Sequence, residues 1–146
     1  MENAYAILLL NREVYLMSKG LKKILIVDDD DNIRKTFALV LGKKYRILAE
    51  KDPAQALSKA QTARVDLVIT DVKMSGISGL ELIKKLREGG YQGDAMLISA
   101  HPEMVRLDDL GRYQISHYFV KPLDLKVLDL SIERLFQTKE APAAGA

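Results

Sequence analysis

Apolar positions between Ile24 and Phe136 follow two alternating rhythms. Short, nearly unbroken runs stand at ILIV (24–27), YRILA (45–49), VDLVIT (65–70), AMLIS (95–99) and HYFV (117–120). Such runs suit parallel strands covered on both faces, where no position needs to be polar. Between them the apolar residues recur at helical spacing. Ile33, Phe37, Val40 and Leu41 share a face that stops at Gly42. Asp52–Pro53 is a cap followed by a first-turn proline, leading into Ala56, Leu57 and Ala60. Leu80, Leu82, Ile83 and Leu86 form a third face, ended by Gly89–Gly90. A fourth, weaker helix is predicted over Pro102–Gly111, and a fifth carries Leu125, Leu128, Ile132, Leu135 and Phe136. Five strands alternating with five helices predict an α/β fold, a doubly wound five-stranded parallel sheet with right-handed crossovers.

In such a sheet ligands gather at the carboxyl ends of the strands, where strand order reverses. The first strand ends in Asp28–Asp29, the third in Asp71, the fourth in Ser99 and the fifth in Lys121, while the second ends blandly at Ala49–Glu50. Three carboxylates, a hydroxyl and an amine therefore meet on one rim. Like charges this close repel, so ILIVDDDD predicts either solvation or a positive group among the acids. Asp30 and Asp31 are explained by the helix they begin, whose dipole favours negative charge. With no Cys and only two His in the chain, the ligands left for an ion are oxygens. An oxygen pocket of this kind suits Mg²⁺, which takes one or two carboxylates and leaves others for chemistry. A lysine opposite implies a polyoxygen anion, phosphoryl being the natural candidate, with an Asp as nucleophile.

Composition narrows the field further. The 146 residues are 48% hydrophobic and 29% charged, the balance of a single globular domain. A formal net charge of +2, from 22 basic against 20 acidic residues, gives no reason to expect nucleic acid or a membrane surface as partner. AILLL (6–10) is too short to span a bilayer and lacks the flanks of a signal peptide. A second methionine, Met17, opens MSKGLKKILIV, so residues 1–16 read as an extension or an upstream start. Tyr5, Ile7, Leu8 and Leu9 would form a short helix packing on the domain or on a neighbour. The division expected is an extension of unassigned role at 1–20, one domain at 21–138, and a fraying tail at 139–146.

The motifs ILIVDDD, DLVITDVKMSGISGLEL, LISA and YFVKP, in this order and at these strand ends, resemble the receiver domain of two-component response regulators over about residues 21–138. The resemblance implies a flavodoxin-like (βα)5 receiver fold. It implies Asp71 as phospho-acceptor, with Asp28 and Asp29 holding Mg²⁺ and the Lys73 carbonyl completing the metal shell. It further implies Ser99 as switch hydroxyl, Lys121 as phosphate partner, Tyr118 as the aromatic that swings inward, and a cis Lys121–Pro122 peptide. Departures occur at Ser75, where the family usually has Pro, and at Gln114–Ile115, where it commonly has Gly–Ala; the end of the fourth helix is therefore expected to be built differently. Lys73 and His101 flank the acceptor and the switch, and Ala100 leaves access to a bulky donor.

The function expected is that of a stand-alone cytoplasmic phospho-receiver, not an enzyme in its own right. It would take a phosphoryl group from a histidine kinase or histidine phosphotransfer protein and signal to a downstream protein target. The face of helix 4, strand 5 and helix 5 would change shape and offers a place for a homodimer, with no direct nucleic-acid or membrane contact. Three alternatives differ in class. A Mg²⁺-dependent phosphatase with an Asp nucleophile would want an acid at Lys73 and a cap, and the chain offers neither. A phosphorylation-independent interaction module would not need the full acidic, hydroxyl and lysine set. A receiver fragment of a DNA-binding regulator would make APAAGA a linker.

Overall fold

A computed structural model describes residues 3–10 and 20–140. The expectations for Met17 and for the tail beyond residue 140 fall outside the described residues. The elements, in chain order, are β1 (Lys23–Val27), α1 (Asp31–Leu41), β2 (Arg46–Glu50), α2 (Pro53–Thr62), β3 (Leu67–Asp71), α3 (Gly79–Glu88), β4 (Asp94–Ser99), a 3₁₀ turn (Pro102–Met104), α4 (Leu107–Arg112), β5 (His117–Val120) and α5 (Leu125–Glu140). The five strands form one parallel sheet in the order β2-β1-β3-β4-β5. The chain leaves β1 to one side and returns as β3 on the other, so strand order reverses at the crevice between β1 and β3.

Alternation along each strand sorts the core onto two faces. Ile24, Ile26, Leu67, Ile69, Met96 and Ile98 pack with Phe37 and Leu41 of α1 and Leu128, Ile132 and Phe136 of α5. Leu25, Val27 and Val68 pack with Ala56 and Ala60 of α2 and Leu82 and Leu86 of α3. A third cluster, Val72, Ile83, Ala95 and Leu97, takes Leu110, Ile115 and Tyr118 against it. Each fully buried Leu or Ile contributes about 2 kcal/mol of apolar transfer, which holds the sheet rigid beneath its rim.

Side-chain caps set the helix starts: Asp30 accepts the Asn32 N–H, Asp52 the Ala54 N–H and Ser78 the Glu81 N–H. The fourth helix departs from expectation. Instead of running from Pro102, the chain makes a 3₁₀ turn, extends at Val105 and forms only a six-residue α4 with no buried residue. Met104 and Leu107 are exposed, and only Val105 and Leu110 of this stretch reach the third cluster. At Gln114–Ile115, the departure from the family's usual residues, the C-terminal end of α4 turns into β5. Gln114 adopts a left-handed φ of 54°, and the Arg87 guanidinium grips the turn. It donates to the carbonyls of Tyr113 (3.0 Å), Gln114 (3.1 Å), Tyr91 (3.0 Å) and Gly93 (2.7 Å). The Lys121–Pro122 peptide is cis. Residues 4–10 are helical with Tyr5, Ile7, Leu8, Leu9 and Leu10 exposed. Among the described residues no helix is long and apolar enough to cross a membrane.

Candidate functional site

Parallel register carries the strand ends to one rim. Val27 pairs with Thr70 and Asp71 with Ile98, so Asp28 and Asp71 sit level on either side of the β1–β3 crevice. Ser99 pairs with Val120, which sets Lys121 just past the end of β4. Backbone bonds lock these ends: Val72 N–H donates to the Ile98 carbonyl at 3.0 Å, and Lys121 N–H to the Ser99 carbonyl at 2.9 Å.

Asp28, Asp29 and Asp71 each offer a carboxylate oxygen, and these atoms lie within 4.8 Å of one another. Lys121 Nζ stands 3.4 Å from Asp71 Oδ2 and 3.9 Å from Asp28 Oδ2. Burial pushes the Asp28 carboxyl above its usual range; the Asp30 N–H works against this, the Asp71 charge adds to it, Lys121 opposes it and Asp29 adds a little more. Asp28 is only 4% exposed. Three carboxylates against one ammonium leave surplus negative charge in a partly desolvated crevice, which is a cost that a hard divalent cation would remove. The all-oxygen donor set fits Mg²⁺ and offers nothing to a soft metal. Asp28, Asp29 and Asp71 can hold it.

Ser99 is fully buried, and its hydroxyl oxygen accepts the His101 N–H at 2.8 Å. Lys73 is exposed in the turn after β3. Tyr118 stands apart from this rim. It pairs with Leu97, two residues short of the strand end, and packs against the third cluster. Its phenol oxygen is buried without a hydrogen-bond partner among the described residues. Leu110 and Ile115 pack on that same cluster, while Phe119 packs on the first. His101 lies at the start of the 3₁₀ turn with Nδ1 at 3.2 Å from Glu103.

Two features escaped sequence reasoning. Arg34 reaches back from α1 to the acidic loop, where its guanidinium donates to the Asp28 carbonyl at 2.5 Å and pairs with Asp31. The spacing of Asp31 and Arg34 on a first helical turn was the available signal. Gly79 is the other. Its N–H donates to the Val72 carbonyl at 2.8 Å, and a Cβ there would meet the Asp71 carbonyl oxygen at 2.0 Å. The glycine lets α3 begin directly against the peptide of Asp71.

Known proteins bear on this arrangement. A family model described as the response regulator receiver domain matches residues 24–133. The transcriptional regulatory protein FlgR of Helicobacter pylori is 34% identical over 120 residues, covering 81% of this chain and 30% of FlgR. Sporulation initiation phosphotransferase F of Bacillus subtilis is 27% identical over 119 residues, covering 81% of this chain and 96% of that protein. The chain thus spans less than a third of FlgR, as it also does of the regulatory protein AtoC of Escherichia coli. Among solved structures, the response regulator protein TrrA of Thermotoga maritima in complex with Mg²⁺-BeF is 32% identical. Its TM-score is 0.69, covering 79% of this chain and 99% of that one. TrrA in complex with the histidine kinase ThkA matches at 30% identity and TM-score 0.69, covering 79% of this chain and 98% of that one.

Proposed function

Since the chain belongs to the response regulator receiver family, we propose that Asp71 accepts a phosphoryl group from a phosphohistidine donor. The observation that carries this reading is the convergence of Asp28, Asp29 and Asp71 oxygens within 4.8 Å, with Lys121 facing Asp71. An Asp71 carboxylate oxygen attacks phosphorus in line with the imidazole nitrogen. The P–N bond breaks, its electron pair stays on that nitrogen, and an acyl phosphate forms. Mg²⁺ held by Asp28, Asp29 and Asp71, with the Lys73 carbonyl that the resemblance adds, would neutralise charge between carboxylate and phosphoryl oxygens.

This chain's own groups do the rest. Lys121 places its ammonium where a phosphoryl oxygen must come, exchanging the Asp71 carboxylate for the phosphate. Ser99 accepts the His101 N–H with its oxygen, so its own proton is available to a phosphate oxygen. Drawing Ser99 inward pulls on residues 100–106, a connection with no buried residue. A buried hydroxyl with no partner costs about 1–3 kcal/mol, and that supports Tyr118 as the side chain that changes position in response. Leu107, Val120, Val127 and Leu130 are exposed on α4, β5 and α5, which supports this face as the contact for a downstream protein or a second copy. The donor is a histidine kinase or a phosphotransfer protein, a reading supported by the ThkA–TrrA complex of a 30% identical relative. In this reading the chain is cytoplasmic and its only chemistry is on itself.

Intact mass after incubation with a small acyl phosphate or phosphoramidate and Mg²⁺ tests the reading. One phosphate adduct is expected, dependent on Mg²⁺ and lost in Asp71→Asn. No adduct in a folded, Mg²⁺-binding wild type would favour the phosphorylation-independent module instead.

A further inference from the structure

Four consecutive carboxylates end β1, yet only some face the rim. Asp31 turns outward and is 72% exposed at its side chain, while Arg34 beside it is 16% exposed. Arg34 is thus drawn in towards the loop rather than out to solvent. Its Nη1 holds the backbone carbonyl of Asp28 at 2.5 Å, and its Nη2 pairs with the Asp31 carboxylate. Residue 28 is thereby fixed at three points. Its N–H donates to the Glu50 carbonyl at 3.2 Å, its carbonyl accepts from Arg34, and its Oδ1 accepts the Asp30 N–H at 2.9 Å. The remaining oxygen, Oδ2, points towards Lys121.

We propose that Arg34 is a positioning residue for the cation site, clamping the Asp28 peptide so that its free carboxylate oxygen meets those of Asp29 and Asp71. This inference rests on the receiver reading and extends it to a residue outside the acidic, hydroxyl and lysine set. Electrostatics alone would oppose it, because a bare guanidinium this close to a cation site repels the cation. Pairing with Asp31 makes the two together neutral, and what the site keeps is the geometric restraint. Groups that orient a metal's ligands through such hydrogen bonds commonly set affinity by about 10- to 100-fold.

Charge and restraint separate in a Mg²⁺ titration of the whole chain by calorimetry, with urea midpoints recorded for each variant. Asp31→Asn removes one exposed, solvent-screened charge and is expected to weaken Mg²⁺ binding only two- to threefold. Adding Arg34→Met to it restores the wild-type net charge and removes the clamp; a loss of about tenfold relative to wild type is expected. Arg34→Lys keeps the charge but lacks the planar fork that bridges carbonyl and carboxylate, and it is expected to lose several-fold on its own. At saturating Mg²⁺ the rate of phosphate adduct formation in all three should return to within about twofold of wild type. Mg²⁺ affinity in the double variant equal to wild type overturns the proposal, as does wild-type affinity in Arg34→Lys should the double variant not fold. Failure of wild type to bind Mg²⁺ at all would instead bring down the receiver reading beneath it.

Discussion

Gly79→Ala sets two effects of opposite sign against each other. Gly79 opens α3, and its φ is not in the left-handed region, so alanine meets no backbone objection. Helix propensity alone favours alanine by up to about 1 kcal/mol. Against this, the new methyl carbon would lie 2.0 Å from the Asp71 carbonyl oxygen and 2.9 Å from both the Asp71 carbonyl carbon and Thr70 Oγ1. The first contact is roughly 1 Å inside the closest approach real Cβ atoms make, and the group it strikes is backbone. Either α3 slides away, giving up the Gly79 N–H bond to Val72, or the Asp71 peptide moves and breaks the 2.9 Å bond from Thr70 Oγ1. Overpacking costs about 1–3 kcal/mol and a lost hydrogen bond about 1 kcal/mol. The net expectation is a loss of about 2 kcal/mol, or a urea midpoint lower by about 1 M for a domain this size. Because the displaced peptide carries the proposed acceptor, adduct formation should slow by roughly 10²-fold, as misplacement of a reacting group by about 1 Å does. Gly111→Ala is the control: a Cβ there meets nothing within 4 Å, so the same change should stabilise by about 0.5–1 kcal/mol. A Gly79→Ala protein with unchanged midpoint and unchanged adduct rate would refute the steric account of how α3 meets the acceptor.

Three further outcomes follow from the packing. Gln114→Gly relieves a left-handed φ of 54° while keeping the carbonyl that Arg87 holds; it should raise stability by about 0.5–1 kcal/mol in urea titration, whereas a loss would mean the Gln side chain is needed. Burial raises the Tyr91 phenol above its ordinary value, so above pH 10 the unfolded state loses this proton first and stability falls as pH rises. Tyr91→Phe should flatten that alkaline slope, at a cost near neutrality of about 1 kcal/mol for the 2.9 Å bond to the Asp94 carbonyl; an unchanged slope would assign it to other groups. Leu128→Ala, at a fully buried position of α5, should cost about 2–5 kcal/mol, and a thermal or urea midpoint within error of wild type would show that the α5 face repacks.

Legibility in the sequence tracked whether a side chain announces its partner. Carboxylates that end apolar runs at residues 28 and 71, and a lysine that ends one at 121, are unusual enough to mark a rim before any coordinates. That the strands run parallel follows from the same alternation, because each run is long enough for a strand and each interval for a crossover, whereas their order across the sheet does not. Arg87, and the hold of Arg34 on the Asp28 carbonyl, were invisible for a physical reason. A basic residue on a polar helix face reads as solvated, and their acceptors are mostly backbone carbonyls, which every residue has and no pattern distinguishes. The fourth helix was overextended because Met104, Val105 and Leu107 count as apolar in any periodicity, although Met104 and Leu107 face solvent. Tyr118 was placed on the right strand. What its hydroxyl meets depends on a rotamer, which spacing does not encode.

Arg87 ties two connections that sequence keeps well apart. Surface turns ordinarily tolerate added or deleted residues, since nothing behind them counts their length. Here one guanidinium spans Tyr91 and Gly93 before β4 and Tyr113 and Gln114 before β5. A residue inserted into either turn would withdraw two carbonyls at once and strand donors that are partly buried, at the cost of an unsatisfied charged group. The lengths of these turns are therefore not independent variables. Grafting a peptide tag or a sensor module into this molecule would be ruinous at 91–93 or 113–114, even though both stretches look like ordinary loops in the chain.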